Sequence, residues 1–236
     1  MLDLLTQISA LEGKFWLRLL YIHPDHFPME ILPLMKDDPR ILPYFDIPFQ
    51  HADAGILKRM GRKGDRETYL NLIHKLREEF PHGVIRSTIM TGFPGETKKS
   101  FAEVKRFLIE AKLDWVGFFL YSREEGTEAY DYRGALGTRM AAGRSNKQKT
   151  ILEDLQEGIT EEQMNRFVGQ EMILIVEEEV EGEPLYLTRG HIQAPEVDGL
   201  VVLRAENLTA GQLVRGKIIK RNGLDLEAVL LEHDNA

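Results

Sequence analysis

The sequence predicts an α/β fold: a parallel sheet built from successive strand–helix units, followed by a small all-β barrel. Three observations carry this. Apolar strand-like runs alternate with amphipathic helical patterns over the first two-thirds of the chain. The run Ile89-Met90-Thr91-Gly92-Phe93-Pro94-Gly95-Glu96-Thr97 leads a strand through a glycine turn straight into a helix start. Parallel α/β sheets present backbone to a ligand in this way, at the carboxyl end of a strand. After Phe167 helical periodicity stops, and short segments separated by turn residues take over.

Trp16 to Ile22 reads as the first strand, ended by His23-Pro24-Asp25, with a short helix near Met29 to Met35. Tyr44 to Phe49 reads as the second, its ladder weakened by Pro48. Asp53 caps a helix carrying Ile56, Leu57 and Met60. Asp65 caps the clearest helix, on which Tyr69, Leu70, Ile73, Leu76 and Phe80 recur at helical spacing until Pro81 stops it. Val84 to Met90 is the third strand, and a helix opened by Thr97 or Ser100 turns Phe101, Val104, Phe107, Leu108 and Ala111 inward. Trp115 to Tyr121 is a fourth, nearly all-apolar strand, a pattern that predicts cover on both faces. A long helix from about Thr138 to Arg166 has Ile151, Leu155 and Ile159 as its inner stripe. Four strand segments follow: Glu171–Val180, Leu185–His191, Gly199–Ala205 and Gln212–Leu231, the last folded at Asn222-Gly223 as a type I′ hairpin. The expected domains are 1–165 and 166–236.

Composition narrows the function. The chain has 236 residues, 43% hydrophobic and 29% charged, ordinary for a globular protein. The net charge of -8 leans toward a basic partner rather than nucleic acid, although mild acidity also serves solubility alone. Zero cysteines exclude disulfides, thiolate nucleophiles and cysteine-held metal within these residues. No apolar run approaches the roughly 18 residues of a membrane span, and the amino end lacks a secretory signal, so a cytoplasmic protein is expected.

The strand ends offer His23-Pro24-Asp25, Gln50-His51, Thr91-Gly92 and Tyr121-Ser122. Glycines at 92 and 95 let backbone approach a ligand closely. Glu96 either caps the following helix or meets a ligand's hydroxyl or amine. Gln50 and His51 either bond a ligand or satisfy loop carbonyls. His23, Asp25 and His26, set between prolines, read as a rigid turn rather than a metal site. Arg59, Arg62, Lys63 and Arg66 either complement helix dipoles or clamp a carboxylate. No catalytic or metal-ligating residue is assigned.

Three blocks, in order, carry a family resemblance. They are Asp46-Ile47-Pro48-Phe49-Gln50-His51-Ala52-Asp53 with Ile56 to Arg62, Gly92-Phe93-Pro94-Gly95-Glu96-Thr97 with Phe101, and Tyr121-Ser122-Arg123-Glu124-Glu125-Gly126-Thr127-Glu128-Ala129. Together they resemble the radical S-adenosylmethionine methylthiotransferases. The reading Ile47-Pro48-Phe49-Gln50-His51-Ala52-Asp53 resembles the RimO branch, where the transfer-RNA-modifying MiaB branch usually has Leu-Pro-x-Gln-Ser-Gly-Ser. The resemblance implies part of a radical-SAM (βα) barrel followed by a TRAM-like β-barrel. It implies an enzyme that adds a methylthio group to the β-carbon of an aspartate in ribosomal protein twelve of the small subunit. A transfer-RNA methylthiotransferase and a non-catalytic docking module are the alternatives. It implies S-adenosyl-L-methionine as cofactor, near Gln50, His51, Arg62, Met90, Gly92 and Tyr121, with Glu96 ordering its turn. It also implies two [4Fe-4S] clusters in the full-length enzymes, neither of which this chain can ligate. The sequence is thus expected to be a piece lacking the amino-terminal domain, inactive alone, with an open sheet edge that invites self-association. From Arg166 onward 13 acidic residues face 7 basic ones, which suits a basic ribosomal protein better than RNA.

Overall fold

A computed structural model describes residues 1–132 and 139–232. The chain divides into two compact units, Met1–Gln156 and Glu157–Ala236.

The first unit is built on a parallel sheet in the order β1 (Tyr44–Asp46), β2 (Val84–Thr91), β3 (Trp115–Leu120). Helix α1 is Leu2–Ser9 and α2 is Leu32–Asp37, preceded by two short 3-10 turns. Helix α3 (Ala54–Arg59) starts where Asp53 accepts from Ile56 N, and α4 (Arg66–Glu79) where Asp65 accepts from Thr68 N. Helix α5 (Lys98–Ala111) opens on a reciprocal cap between Thr97 and Ser100. The crossovers from β1 to β2 and from β2 to β3 run through α4 and α5, as parallel pairing requires.

Alternation along β2 separates two faces. Ile85, Ser87, Ile89 and Thr91 are buried, whereas Arg86, Thr88 and Met90 are only partly so. The buried core holds Tyr44, Phe49, Tyr69, Ile73, Phe107 and Leu108. Phe49 packs edge-on against Phe107 at 5.3 Å. The other face is polar: Arg86 bonds Asp46 at 3.0 Å, and Gln50 Nε2 donates to Thr88 Oγ1 at 3.0 Å.

Three expectations change here. The segment from Trp16 to Ile22 is not a regular strand. It makes one isolated bridge, Leu17 to Ile41 ahead of β1, and meets β1 where Ile22 N donates to Asp46 O. Tyr21 at φ 65° turns the backbone out of the ladder between Leu17 and Ile22. Strand β3 is not covered on both faces: Phe119 is 55% exposed and Leu120 41%. Helix α6 (Arg139–Asn165) buries Leu152, Gln156, Ile159, Thr160 and Met164, while Ile151 and Leu155 are half-buried. The stripe is thus shifted by about one residue, because Gln156 buries by donating to Leu113 O.

The second unit is a closed barrel in the order β4-β5-β6-β8-β7. Its strands are β4 (Glu171–Glu179), β5 (Leu185–Arg189), β6 (Val201–Arg204), β7 (Leu213–Asn222) and β8 (Asp225–Glu232), with β6 and β8 parallel and the other pairs antiparallel. Leu174, Val214, Ile218, Leu203 and Leu226 fill the interior. Gly216 leaves room for Leu174, whose Cδ1 would lie 2.6 Å from a Cβ at that position. Asn222 pairs with Asp225, so the hairpin's central residues are Gly223 and Leu224 rather than Asn222 and Gly223. A positive φ at Gly223 and not at Leu224 fits a type II′ turn, not type I′. Among the described residues no helix is long and apolar enough to cross a membrane.

Candidate functional site

The carboxyl ends of β1, β2 and β3 meet at one edge of the first unit. Beyond Pro48 the β1 chain returns to the sheet, where Gln50 N donates to Thr88 O and Met90 N donates to Gln50 O. Gln50 has φ 68°, a left-handed conformation that swings the backbone off the sheet one residue before His51. At the end of β2, Gly92 has φ 79° and Gly95 φ 92°. Tyr121 N donates to Thr91 O, which brings the β3 tip alongside.

The glycine turn is packed from several sides. A Cβ at Gly92 would lie 2.4 Å from Ser145 Oγ, and one at Gly95 2.7 Å from the Arg59 guanidinium. Arg59 also lies over the Tyr132 ring at 4.7 Å. Phe93 meets Tyr121 edge-on at 5.2 Å, and the Tyr121 hydroxyl donates to Ala129 O.

Behind the turn lies a polar pair. Glu96 Oε2 accepts from Gly92 N at 2.9 Å and stands 3.9 Å from His51 Nε2. The two side chains are 4% and 0% exposed. His51 Nδ1 accepts from Asp53 N at 2.9 Å. Burial pulls the His51 imidazole down to about 4, against the opposing pull of Asp53, so the ring is neutral. Burial pushes the Glu96 carboxyl up, while the Gly92 amide, Gln148 and Arg144 hold it down.

Six of the seven expected residues therefore converge. Gln50, Met90, Gly92 and Tyr121 form the partly exposed rim, and His51 and Glu96 the buried layer behind it. Arg62 braces the same strand end, donating to Pro48 O at 2.8 Å, two residues before Gln50. The basic cluster disperses: Arg66 pairs with Glu110 and Glu103, and Lys63 N donates to Asp25. His23 Nδ1 accepts from Asp25 N inside the turn at 24–26. Arg59, read in the sequence as a helix-dipole partner or carboxylate clamp, instead packs on the glycine turn, and Ser145 was not singled out in the sequence. Ser145 lies 53 positions beyond Gly92 on a helix whose register the apolar pattern misplaced.

The rim can take an adenosyl ligand: Met90 and Tyr121 present partly exposed surface beside the left-handed turns at Gln50 and Gly92. It does not suit an iron–sulfur cluster, since the 236 residues contain no cysteine.

Comparison with known proteins agrees with this architecture. Residues 3–108 match the radical SAM superfamily and residues 168–231 the TRAM domain. The chain is 44% identical over 245 aligned positions to the ribosomal protein uS12 methylthiotransferase RimO of Treponema denticola, covering 96% of this chain and 52% of that protein. It is 40% identical over 232 positions to the RimO of Thermotoga maritima, covering 98% and 50%, and 33% identical over 233 positions to that of Petrotoga mobilis, covering 98% and 52%. It spans about half the length of these relatives. The radical SAM enzyme coproporphyrinogen III oxidase (HemN) of Escherichia coli superposes with a TM-score of 0.44 and 14% identity over 85% of this chain and 46% of that one, too loosely to add weight. With radical-SAM sequence in front, a TRAM domain behind and RimO proteins as its relatives, the chain belongs to the radical S-adenosylmethionine methylthiotransferases, in their RimO branch.

Proposed function

We propose that this chain forms part of a cytoplasmic methylthiotransferase that modifies the β-carbon of an aspartate in ribosomal protein uS12. The observation that carries this reading is the convergence of three parallel strand tips on one rim, joined to the likeness with RimO proteins. In this reading S-adenosylmethionine, when bound, supplies the radical chemistry, and this chain positions it. Met90 and Gly92 flank the adenine, Gln50 lies toward the ribose and methionyl portion, and the strand-end backbone at Tyr121 faces the ligand. Two [4Fe-4S] clusters belong to the whole enzyme, and the 236 residues alone are inactive because they supply no thiolate. The domains proposed are 1–165 for the cofactor part and 166–236 for docking.

Glu178 and Glu179 stand exposed on the barrel, whereas Glu177 pairs with Arg189 at 2.8 Å. These carboxylates suit a basic ribosomal protein. A second reading has its own observation. Arg215, Lys217 and Lys220 stand exposed along β7, a stripe that suits the phosphates of transfer RNA. A binding assay with purified uS12 and with transfer RNA separates them. Saturable association with uS12 alone supports the first reading. Salt-sensitive association with transfer RNA alone replaces it with the second.

A further inference from the structure

We infer that His51 is a positioning residue whose Nε2–H donates to the Glu96 carboxylate, holding the Gly92–Glu96 turn against the end of the β1 chain. The tautomer follows from the neighbouring backbone. Nδ1 accepts from Asp53 N at 2.9 Å, so it carries no proton, and the neutral ring bears its proton on Nε2. That nitrogen is buried and has no hydrogen-bond partner, and Glu96 Oε1 lacks one too. Burying a donor without a partner is costly, and the Glu96 carboxylate is the acceptor that stands 3.9 Å from it.

Their spacing decides how they meet. At 3.9 Å, Nε2 and Oε2 are too far apart for a direct hydrogen bond. They are too close for a relaxed water bridge, which sets its two partners about 4.6 Å apart when each bond is about 2.8 Å and the water angle is tetrahedral. A side-chain rotation of about 1 Å closes the direct bond. Glu96 Oε2 already accepts from Gly92 N at 2.9 Å. The closed pair would therefore connect the cap of α3, through His51 and Glu96, to the amide of Gly92. Gln148 and Arg144 reach the same carboxyl from α6, and Asp53 is the other charged group close to the imidazole. Where the proposed function enters, the consequence is that this pair sets the shape of the adenosyl rim without touching the ligand. That consequence rests on the reading of the rim given above; the bond itself does not.

Three variants of this chain test it. H51N can keep an acceptor for the residue 53 amide through an Asx-type turn but offers nothing at the Nε2 position. H51Q does the reverse. E96Q keeps an acceptor for Gly92 N and removes the charge. Amide exchange at Gly92 is expected to accelerate about tenfold in H51N and much less in H51Q. H51N should accelerate exchange less in the E96Q background than in the parent. Long-range ¹H–¹⁵N spectra should show Nδ1 bare and a hydrogen-bonded proton on Nε2, which moves upfield in E96Q as the acceptor loses its charge. A proton on Nδ1, an Nε2 proton unchanged in E96Q, or parental exchange in a folded H51N would overturn the inference. If H51N does not fold, the E96Q spectrum decides it. Calorimetric titration with S-adenosylhomocysteine then tests the consequence. Weakening of about tenfold in H51N with rescue in H51Q is expected, and equal affinity in H51N would refute a role in shaping the rim. Should the parent chain bind none, the adenosyl reading fails, while the hydrogen bond stands or falls on the exchange and spectra.

Discussion

The two units solve the same problem of sheet edges differently. The barrel closes β4-β5-β6-β8-β7 on itself, so each strand has a partner on both sides. Two of its buried polar side chains bond within the unit: Thr188 Oγ1 donates to Val201 O at 2.8 Å, and the Tyr186 hydroxyl accepts from Leu208 N at 3.2 Å. The parallel sheet of the first unit ends at β3 with exposed Phe119, and it buries His51 Nε2, Thr91 Oγ1 and Glu96 Oε1 without hydrogen bonds. Closure favours stability, and an open sheet with unsatisfied groups at its tips favours ligand chemistry. In the proposed reading, the difference places cofactor binding in the first unit and client recognition on the barrel's outer surface.

The largest effect should come from the two cores. Phe107→Ala is expected to cost about 3–5 kcal/mol and Leu174→Ala about 2–5 kcal/mol. Urea unfolding followed by amide exchange should show each loss confined to its own unit. A shared loss would mean that the units unfold as one.

The next largest is a pH effect through His51. Its folded pKa, about 4, lies below the ordinary imidazole value of 6.5. Between these values the unfolded chain binds the proton and the folded one does not, so stability falls as pH drops through that window. The loss is up to about 3 kcal/mol. Denaturation midpoints measured across the window should slope in the parent and flatten in H51N. The barrel's own transition should show no such His51-linked slope.

Gly92→Ala should cost at least about 1–2 kcal/mol, because a left-handed residue gains a Cβ that would lie 2.4 Å from Ser145 Oγ. It should also abolish S-adenosylhomocysteine binding, read by calorimetry. Asp65→Ala removes the cap of α4 and should cost about 1 kcal/mol, visible in the thermal transition of the first unit. The smallest effect concerns the barrel surface. Reversing Glu177, Glu178 and Glu179 to lysine should slow uS12 association and flatten its salt dependence, with Glu177 contributing less because Arg189 neutralises it. Unchanged on-rates would leave the acidic run a solvated face.

Much of this was legible because local chemistry and fold agree. Asp53, Asp65 and Thr97 announce their helices, and each cap is made as expected. The glycine turn after β2 was readable because only glycine tolerates φ values of 79° and 92° at low cost. What escaped depends on distant packing. The apolar run of β3 looks like a buried strand, but composition does not report whether a neighbour covers it. The inner stripe of α6 contains Gln156, which buries by bonding Leu113 O, and hydrophobic periodicity passes over it. At Asn222-Gly223 the dipeptide signalled a hairpin, while the ladder register set the turn one residue later. His51 and Glu96 could be named from sequence, but their burial as a pair, with Nδ1 already engaged, emerges only from the coordinates.

The central claim is that the tips of β1, β2 and β3 form one adenosyl-binding rim. Titrating S-adenosylhomocysteine into the ¹⁵N-labelled chain tests it most directly. The account predicts concerted amide shifts at Gln50, Met90, Gly92 and Tyr121, with the barrel strands unmoved. No shifts at saturating ligand, or shifts scattered away from those four positions, would contradict it.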